Sequence, residues 1–428
     1  MSRVEFGWIF AACAIVALLL PGCSSPERQT TASVEQPRFE GTGPHGRPVA
    51  TDSADAQVYF DQGLAFLHAF NHDEAIRSFR RAAELDPDCA MAHWGVAFAN
   101  GPHINNPVVP EEREAEAYAS VQEAARLAAT MAESADRALI EALTTRYASP
   151  QPEDRGPLDQ AFADAMAEVY AKYPDDGDVG AFYAEALMDL HPWDLYEQDE
   201  TAKPWTAGIV TLLEEVLAKH PEHPLAIHLY IHAVEGSTEP ERALAPADRL
   251  RDLTPGLGHL AHMPSHIDVR TGQWSEAIVA NTKAIEADER YRAATRVPPD
   301  FYRLYMSHNH HMRAFAAMMT GRSKDSIEWI RALVADIPED WLEQNAFWAD
   351  GFIAMPYEVL MRFGKWEEIL AEPEPAEYLP FTRAMRHAAR AVALGVLDRT
   401  DEAREEQAAF LEARKAVPED APFGNNTA

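Results

Sequence analysis

Three short histidine-rich segments are the part of this sequence whose residue types and spacing could do chemistry. Ten of the seventeen histidines lie between positions 220 and 311. Within each segment they recur at three or four residues, which puts the side chains on one face of a helix. Neutral imidazole is the commonest protein ligand for zinc, copper and iron. The spacing therefore predicts a transition-metal site built from His228, His232, Glu235, His259, His262, His266, His308 and His311.

Glu235 leaves the chemistry of that site open. It lies one helical turn beyond His232, so it could ligate the ion or, in an enzyme, act as the base on a metal-bound water. The sequence contains no His-Glu-x-x-His and no Cys-x-x-Cys, so it matches no named metalloenzyme class and favours a binding protein over an enzyme. Two other interpretations stay open: a groove that binds a peptide or small anion without metal, and structural packing of polar side chains.

Pro264 interrupts the segment that carries three of these histidines. A proline inside a helix kinks it, at a cost of about 3 kcal/mol. At the first turn of a helix it is tolerated, but His259 and His262 would then lie on the preceding loop. The sequence does not decide whether all three histidines of this segment share one face.

Composition limits the possible partners. The chain has 428 residues, 47% of them apolar, and a formal net charge of −32. So acidic a chain has no electrostatic footprint for nucleic acid or for anionic lipid. Cys89 is the only cysteine after the N-terminal segment, so the body of the protein cannot form an internal disulfide.

The N-terminus has the pattern of an export signal. Residues 9–20 are a continuous apolar run, too short to span a bilayer, and Pro21-Gly22-Cys23-Ser24 follows. This resembles the lipobox of bacterial lipoproteins. The resemblance implies a signal peptide over 1–22, acylation of Cys23, and a protein anchored by lipid in the outer membrane and facing the periplasm. Residues 23–54 are predicted to be a flexible tether.

The following residues carry a repeat pattern. Tyr59, Gly63 and Phe66, then Ala75 and Phe79, resemble the tetratricopeptide repeat, a pair of helices in about 34 residues. Fainter copies follow, and no stretch alternates like a strand. The resemblance implies an all-α fold over 55–418, a right-handed superhelix (α-solenoid) of six to eight helix pairs with insertions. Residues 419–428 are predicted to be a disordered tail.

The resemblance also implies where the histidines lie. The first helix of each pair lines a concave groove, which in this family typically holds a peptide of a protein partner. The three histidine segments fall mainly on groove-facing positions of consecutive first helices. Two insertions are predicted to form the groove rim; they contain His103, Asn105, Asn106, His191 and Trp193. His68 and His72, around the first turn, are expected at the surface.

Overall fold

The computed structural model describes residues 36–419, 421–423 and 426–427. The predicted signal peptide and Cys23 lie outside these residues. The described helices are, in chain order, α1 (Ala54–His68), α2 (His72–Leu85), α3 (Ala90–Ala99), α4 (Glu111–Ala128), α5 (Ala135–Leu143), α6 (Gly156–Lys172), α7 (Gly177–Asp189), α8 (Thr206–Lys219), α9 (Pro224–Glu235), α10 (Leu244–Leu250), α11 (Gly258–His262), α12 (Pro264–Arg270), α13 (Trp274–Ala294), α14 (Tyr302–Met319), α15 (Ser323–Asp336), α16 (Glu339–Gln344), α17 (Ala346–Arg362), α18 (Trp366–Ala371), α19 (Pro380–Val396) and α20 (Thr400–Ala413).

These helices confirm the predicted all-α solenoid. They pack in consecutive pairs from α1–α2 to α19–α20, with α11 and α12 together serving as the first helix of the sixth pair. The described residues thus contain nine pairs, more than the six to eight that the sequence predicts. Short 3-10 helices lie at Pro240–Ala243 and Arg414–Ala416. None of the described helices combines the length and the apolarity that crossing a membrane requires.

The first pair shows why the repeat pattern specifies this packing. Phe79 of α2 is fully buried against the backbones of α1 and α3. A Cβ on Gly63 would lie 2.6 Å from the Phe79 ring, and one on Gly95 would lie 2.5 Å from it. Glycine at both positions therefore lets two successive first helices approach the same aromatic ring. Asn71 begins α2 by accepting a hydrogen bond from the backbone N–H of Glu74.

The array curls until its first pair meets the sixth. Tyr291 of α13 donates a hydrogen bond of 2.9 Å to the buried Glu74 carboxylate of α2. The carbonyl oxygen of His68, at the end of α1, lies 2.8 Å from the His228 ring on α9. One continuous apolar core extends from Ala56 to Met306. Because the array closes on itself here, the groove that the sequence predicts is a buried interior over these pairs.

Residues 36–53 differ from the predicted flexible tether of 23–54. Phe39 packs between Phe66 and Tyr291, with ring centroids 4.9 and 5.5 Å away. The Gly41 carbonyl accepts a hydrogen bond from the backbone N–H of Gly256. Arg47 is buried and contacts three aspartates at 2.7 to 3.0 Å: Asp136, Asp176 and Asp178. This stretch lacks an apolar period, and aromatic packing and buried ion pairs hold it in place.

The C-terminal pairs form smaller, separate cores. One cluster joins α14, α15 and α17, and another joins α17, α18 and α19. Within the predicted disordered tail, the described residues include two short antiparallel strands, Pro422–Phe423 and Asn426–Thr427.

Candidate metal centre

Three consecutive first helices carry the histidines into the closed interior. His228 and His232 lie on α9, and His308 lies on α14. Between them, α11 carries His259 and His262, and α12 carries His266. The α11–α12 segment contacts α9 on one side and α14 on the other. Successive pairs of the array therefore place the three segments side by side, as the repeat alignment predicts.

Pro264 does not separate the histidines of α11 from that of α12. Met263, between the two helices, has helical dihedral angles of −50° and −38°. Its N–H donates to the His259 carbonyl, and the His266 N–H donates to the Met263 carbonyl. Pro264 occupies the first position of α12, where the missing N–H is tolerated. His259, His262 and His266 thus lie along one nearly continuous helix.

Six histidines form two groups of three, which we call the first and second triads and together the imidazole centre. The first triad is His228, His232 and His259; the second is His262, His266 and His308. Within each triad, one nitrogen from each ring lies within 4.8 Å of the others. Zinc binds imidazole nitrogen at about 2.0–2.1 Å, so small side-chain rotations would bring each set onto one ion.

The first triad is deeply buried. His228 is 0% exposed, His259 2% and His232 5%. Burial lowers the pKa of His228 and His259 well below 6.5 and lowers the pKa of His232 as well. Removal from water disfavours the charged ring, so these side chains are neutral imidazoles. Neutral imidazole is the protonation state that binds a metal ion.

Hydrogen bonds in the first triad fix which nitrogen faces the other ligands. His228 Nδ1 lies 2.8 Å from the His68 carbonyl, and His232 Nδ1 lies 2.7 Å from Glu235 Oε1. A carbonyl and a carboxylate only accept hydrogen bonds, so both Nδ1 atoms carry the hydrogen. Both Nε2 atoms consequently present a lone pair, and both are buried without a hydrogen-bonding partner.

The second triad is fixed in the same manner. His262 Nδ1 lies 2.7 Å from Asn281 Oδ1 and His266 Nδ1 lies 2.7 Å from Glu235 Oε2. The Asn281 amide donates its own hydrogen to the Ala277 carbonyl, so its oxygen is the atom that accepts from His262. In this triad too, the two Nδ1 atoms donate and the two Nε2 atoms face inward.

Glu235 joins the two triads, a role different from the predicted one. Each of its oxygens accepts from one ring, Oε1 from His232 and Oε2 from His266. The pKa of Glu235 is lowered below its usual value despite burial, because the His266 and His232 rings favour its charged form. Both oxygens are therefore acceptors that orient two ligands in this arrangement.

His259 occupies the position between the triads. Its ring is 4.9 Å from that of His228 and 5.7 Å from that of His262. Both ring nitrogens are buried without a hydrogen-bonding partner. Its backbone N–H donates to the Tyr302 hydroxyl, which in turn lies 3.3 Å from Asp288. A buried nitrogen without a protein partner calls for an explanation, of which a bound water or ion is one.

His311 is predicted as a ligand but does not belong to either triad. Its ring centroid is 6.0 Å from that of His308, one turn along α14. Burial lowers its pKa to about 4, so it is neutral like the ligands. It provides a histidine of similar environment on the same helix face, outside the converging nitrogens.

The first predicted rim loop lies inside the protein. His103 is 3% exposed, and its ring is 4.3 Å from that of His72 and 4.6 Å from that of Phe70. Asn106 pairs with His103 through two backbone hydrogen bonds, and Asn105 has a buried side-chain oxygen. The loop fills the closed end of the interior. His68 and His72, expected at the surface, are buried there for the same reason.

The second predicted rim loop covers the first triad. The Trp193 ring meets that of His232 edge to face at 5.0 Å and is 39% exposed. Trp193 has a φ of +59°, which a bulky residue rarely adopts and which often marks a functional site. His191 instead stacks on Trp205 at 3.7 Å, away from the triads.

A third histidine group has a different hydrogen-bonding pattern. His45 and His223 both place Nε2 within 3.0 Å of Asp178 Oδ1, while Arg47 contacts Asp178 Oδ2. His223 Nδ1 accepts the backbone N–H of Ala226, so its Nε2 carries the hydrogen that Asp178 accepts. We call these four side chains the Asp178 latch. Sequence reasoning missed it because His45 lies in the predicted tether.

Another buried polar group lies between α5 and α7. Arg146 is fully buried, contacts Asp189 at 2.6 Å and packs against the Phe98 and Phe162 rings. Burial raises the pKa of Asp189 to about 7 and that of Glu185 well above its usual value. Asp159 also lies 3.7 Å from Arg146 and pairs with Arg155, so ion pairs with arginine hold this group, which is not part of the metal centre.

The comparisons with known proteins identify the repeat. The tetratricopeptide repeat family matches residues 56–89, which span α1 and α2. This first helix pair is therefore a tetratricopeptide repeat. Among solved structures, a human IFIT1 dimer with m7Gppp-AAAA is 14% identical, with a TM-score of 0.41, covering 86% of this chain and 78% of that one. A human IFIT1 dimer with PPP-AAAA is 12% identical, with a TM-score of 0.29, covering 84% and 91%. Structural similarity this low supports no inference about a ligand of this chain. No curated protein matches the chain.

Proposed function

We propose that this tetratricopeptide-repeat protein binds a transition-metal ion in the imidazole centre. The observation that carries the proposal is the orientation of four rings: each commits Nδ1 to an acceptor and leaves Nε2 facing the other ligands. Metal-binding histidines generally donate their second nitrogen to a carboxylate or carbonyl in this manner. Purely structural packing would not require buried Nε2 atoms without a partner.

The donor set indicates which ions fit. All six converging groups are imidazoles, and Cys89, the cysteine among the described residues, is buried at the start of α3, so no described thiolate contributes. Imidazole suits zinc, copper, nickel and iron and does not suit calcium or magnesium, which take oxygen ligands. We therefore propose zinc or copper as the natural ion. Three protein ligands on one ion leave a coordination position open.

Metal content of the full chain, purified without a histidine tag, tests the proposal. We expect stoichiometric zinc or copper by plasma mass spectrometry, and a marked decrease in His232→Ala and in His262→Ala. The matched control is His387→Ala, since His387 is paired with Glu406 between α19 and α20, outside the centre. Absence of metal from the native protein, even after reconstitution, would overturn the proposal.

A protein partner is a second candidate function, and one surface favours it. Phe347 and Trp348 at the start of α17 pack on each other at 5.0 Å while remaining 43% and 51% exposed. Paired exposed aromatics are typical of residues that anchor an interface. A photo-crosslinking residue at Trp348 should give a specific adduct in cells, and one at the equally exposed Val279 of α13 should not. Equal labelling at both positions would count against a partner on this surface.

Export and lipid anchoring complete the proposed setting. We propose that Cys23 is acylated and holds the repeats at the outer membrane, on the strength of the lipobox-like sequence. Cys23→Ala should move the protein from the membrane fraction to the soluble fraction and abolish incorporation of labelled fatty acid. Unchanged fractionation and labelling would contradict the anchor.

A further inference from the structure

The second triad contains a contact that neutral imidazoles alone do not explain. His262 Nε2 and His266 Nε2 are 2.9 Å apart. Each ring already donates its Nδ1 hydrogen, His262 to Asn281 and His266 to Glu235. Two lone pairs at this distance repel each other unless a proton or a metal ion binds them. A metal ion bound between these two nitrogens would account for the contact.

The third member of this triad adds a ligand from a separate helix. The His308 ring on α14 is 4.8 Å from that of His262 and 5.6 Å from that of His266. The second triad thus has the composition of the first: three imidazoles from two different pairs of the array.

The two triads are close enough to interact. The His232 and His266 rings are 5.4 Å apart, and Glu235 spans them with one oxygen on each. A single carboxylate therefore orients a ligand of both triads and supplies negative charge to both. Two separate sites would need no such shared group.

We propose that the imidazole centre is dinuclear and binds two first-row transition ions, one in each triad, with Glu235 orienting ligands of both. This inference rests on the proposed function and extends it from one ion to two. Two divalent ions beside one carboxylate carry excess positive charge in a buried site, where charges interact strongly. The second ion consequently binds more weakly than the first.

Copper(II) titration of metal-free full-length protein tests the inference, with electron paramagnetic resonance as the readout. The first equivalent should give the spectrum of an isolated ion. The second should broaden or abolish that signal, because two ions bound by triads whose His232 and His266 rings are 5.4 Å apart should couple magnetically. His259→Ala and His308→Ala should each bind one equivalent and give an uncoupled spectrum. His311→Ala, one turn from His308 and outside the triad, should bind two coupled ions.

The possible outcomes separate the two proposals. No bound copper in the native protein would overturn both. One equivalent, lost in His259→Ala but retained in His308→Ala, would overturn the dinuclear centre and leave a single site in the first triad. Two equivalents with the spectrum of isolated ions would also overturn it. Circular dichroism of each metal-free variant checks that a loss of copper reflects lost ligands and not unfolding.

Discussion

The imidazole centre and the Asp178 latch both contain buried histidines beside a carboxylate, yet they use the rings in opposite ways. In the centre, Glu235 accepts from Nδ1 of His232 and His266; the Nε2 atom of His232 has no hydrogen-bonding partner, and that of His266 lies 2.9 Å from the Nε2 atom of His262. In the latch, both histidines direct Nε2 at Asp178, and His223 uses Nδ1 to cap α9. All four polar groups of the latch have protein partners. The latch thus satisfies its own polar groups within the protein, whereas the centre has the unpartnered nitrogens that the proposed metal site requires.

Acidification should produce the largest effect and should separate metal-free from metal-bound protein. His311 and His310 have pKa values lowered to about 4, and that of His72 is lowered to about 3. In the unfolded chain these rings titrate near 6.5, so below that pH the unfolded state binds more protons. The contribution of these neutral rings to folding stability is therefore fully present above about pH 6.5. It is lost as the pH falls towards the pKa values that the rings have in the folded protein.

The loss of stability on acidification should be large because many buried histidine rings contribute to it. At pH 5, one ring with an unfolded pKa of about 6.5 that stays neutral when folded lowers the free energy of unfolding by about 2 kcal/mol. We expect the melting temperature of metal-free protein to fall steeply between pH 7 and pH 5. Bound metal should move that fall to lower pH, since protons must displace it first. Identical curves with and without metal would contradict a role for the buried rings in binding.

Removal of the latch carboxylate should affect stability alone. Asp178→Ala leaves the buried Arg47 without one of its partners and frees His45 and His223. Breaking a buried ion pair from one side costs about 3–5 kcal/mol. Urea unfolding should show that loss, while the number of bound metal ions stays the same. The matched control is Asp175→Ala, whose exposed side chain pairs with Lys219 at the surface and should leave stability unchanged.

The same comparison explains how far sequence reasoning could go. The helix period, the small residues around Phe79 and the three-and-four spacing of the histidines are local features. They predicted the solenoid, which the structure confirms, and eight site residues, of which the structure brings six histidine rings together in two triads. The hydrogen-bond acceptors of these rings, in contrast, can lie far away in the sequence. The His68 carbonyl reaches His228 across 160 residues, because the array closes on itself. The curvature of the array depends on the packing of all its helix pairs, so no single sequence motif predicts it.

The Asp178 latch could not be predicted from the sequence for a related reason. Residues 36–53 contain prolines, glycines and charges without an apolar period, a composition typical of a flexible segment. These residues are held in place by ion pairs from Arg47 to three aspartates later in the chain. Phe39 also packs between the rings of Phe66 and Tyr291. Such partners are specified by tertiary structure and not by neighbours in the sequence. The same limit applies to Glu235, whose second histidine partner is 31 residues away.

Glu235→Gln should weaken metal binding and should leave the Asp178 latch unchanged. We expect this effect to be smaller than that of acidification. A glutamine amide has one accepting oxygen, so it can hold only one of His232 and His266 in the required orientation. Loss of such an orienting partner generally lowers metal affinity about 10–100-fold. Competition with a chelator of known affinity measures the change. Glu239→Gln, exposed four residues further on, should bind metal like the native chain. An unchanged affinity in Glu235→Gln would show that the shared carboxylate does not organise the centre.

Trp193 should have the smallest effect, on the rate of metal release. Its ring covers His232 edge to face and is partly exposed, so it stands between the first triad and solvent. An aromatic pair of this kind contributes about 0.5–1.5 kcal/mol, so Trp193→Ala should accelerate metal transfer to a chelator by up to about tenfold. Trp348→Ala on α17 should not change the rate. Because the ligands are untouched, the number of bound ions should stay constant in both variants. If Trp193→Ala released metal at the native rate, the ions would have to leave by another path, and the strained backbone of Trp193 would need a different explanation.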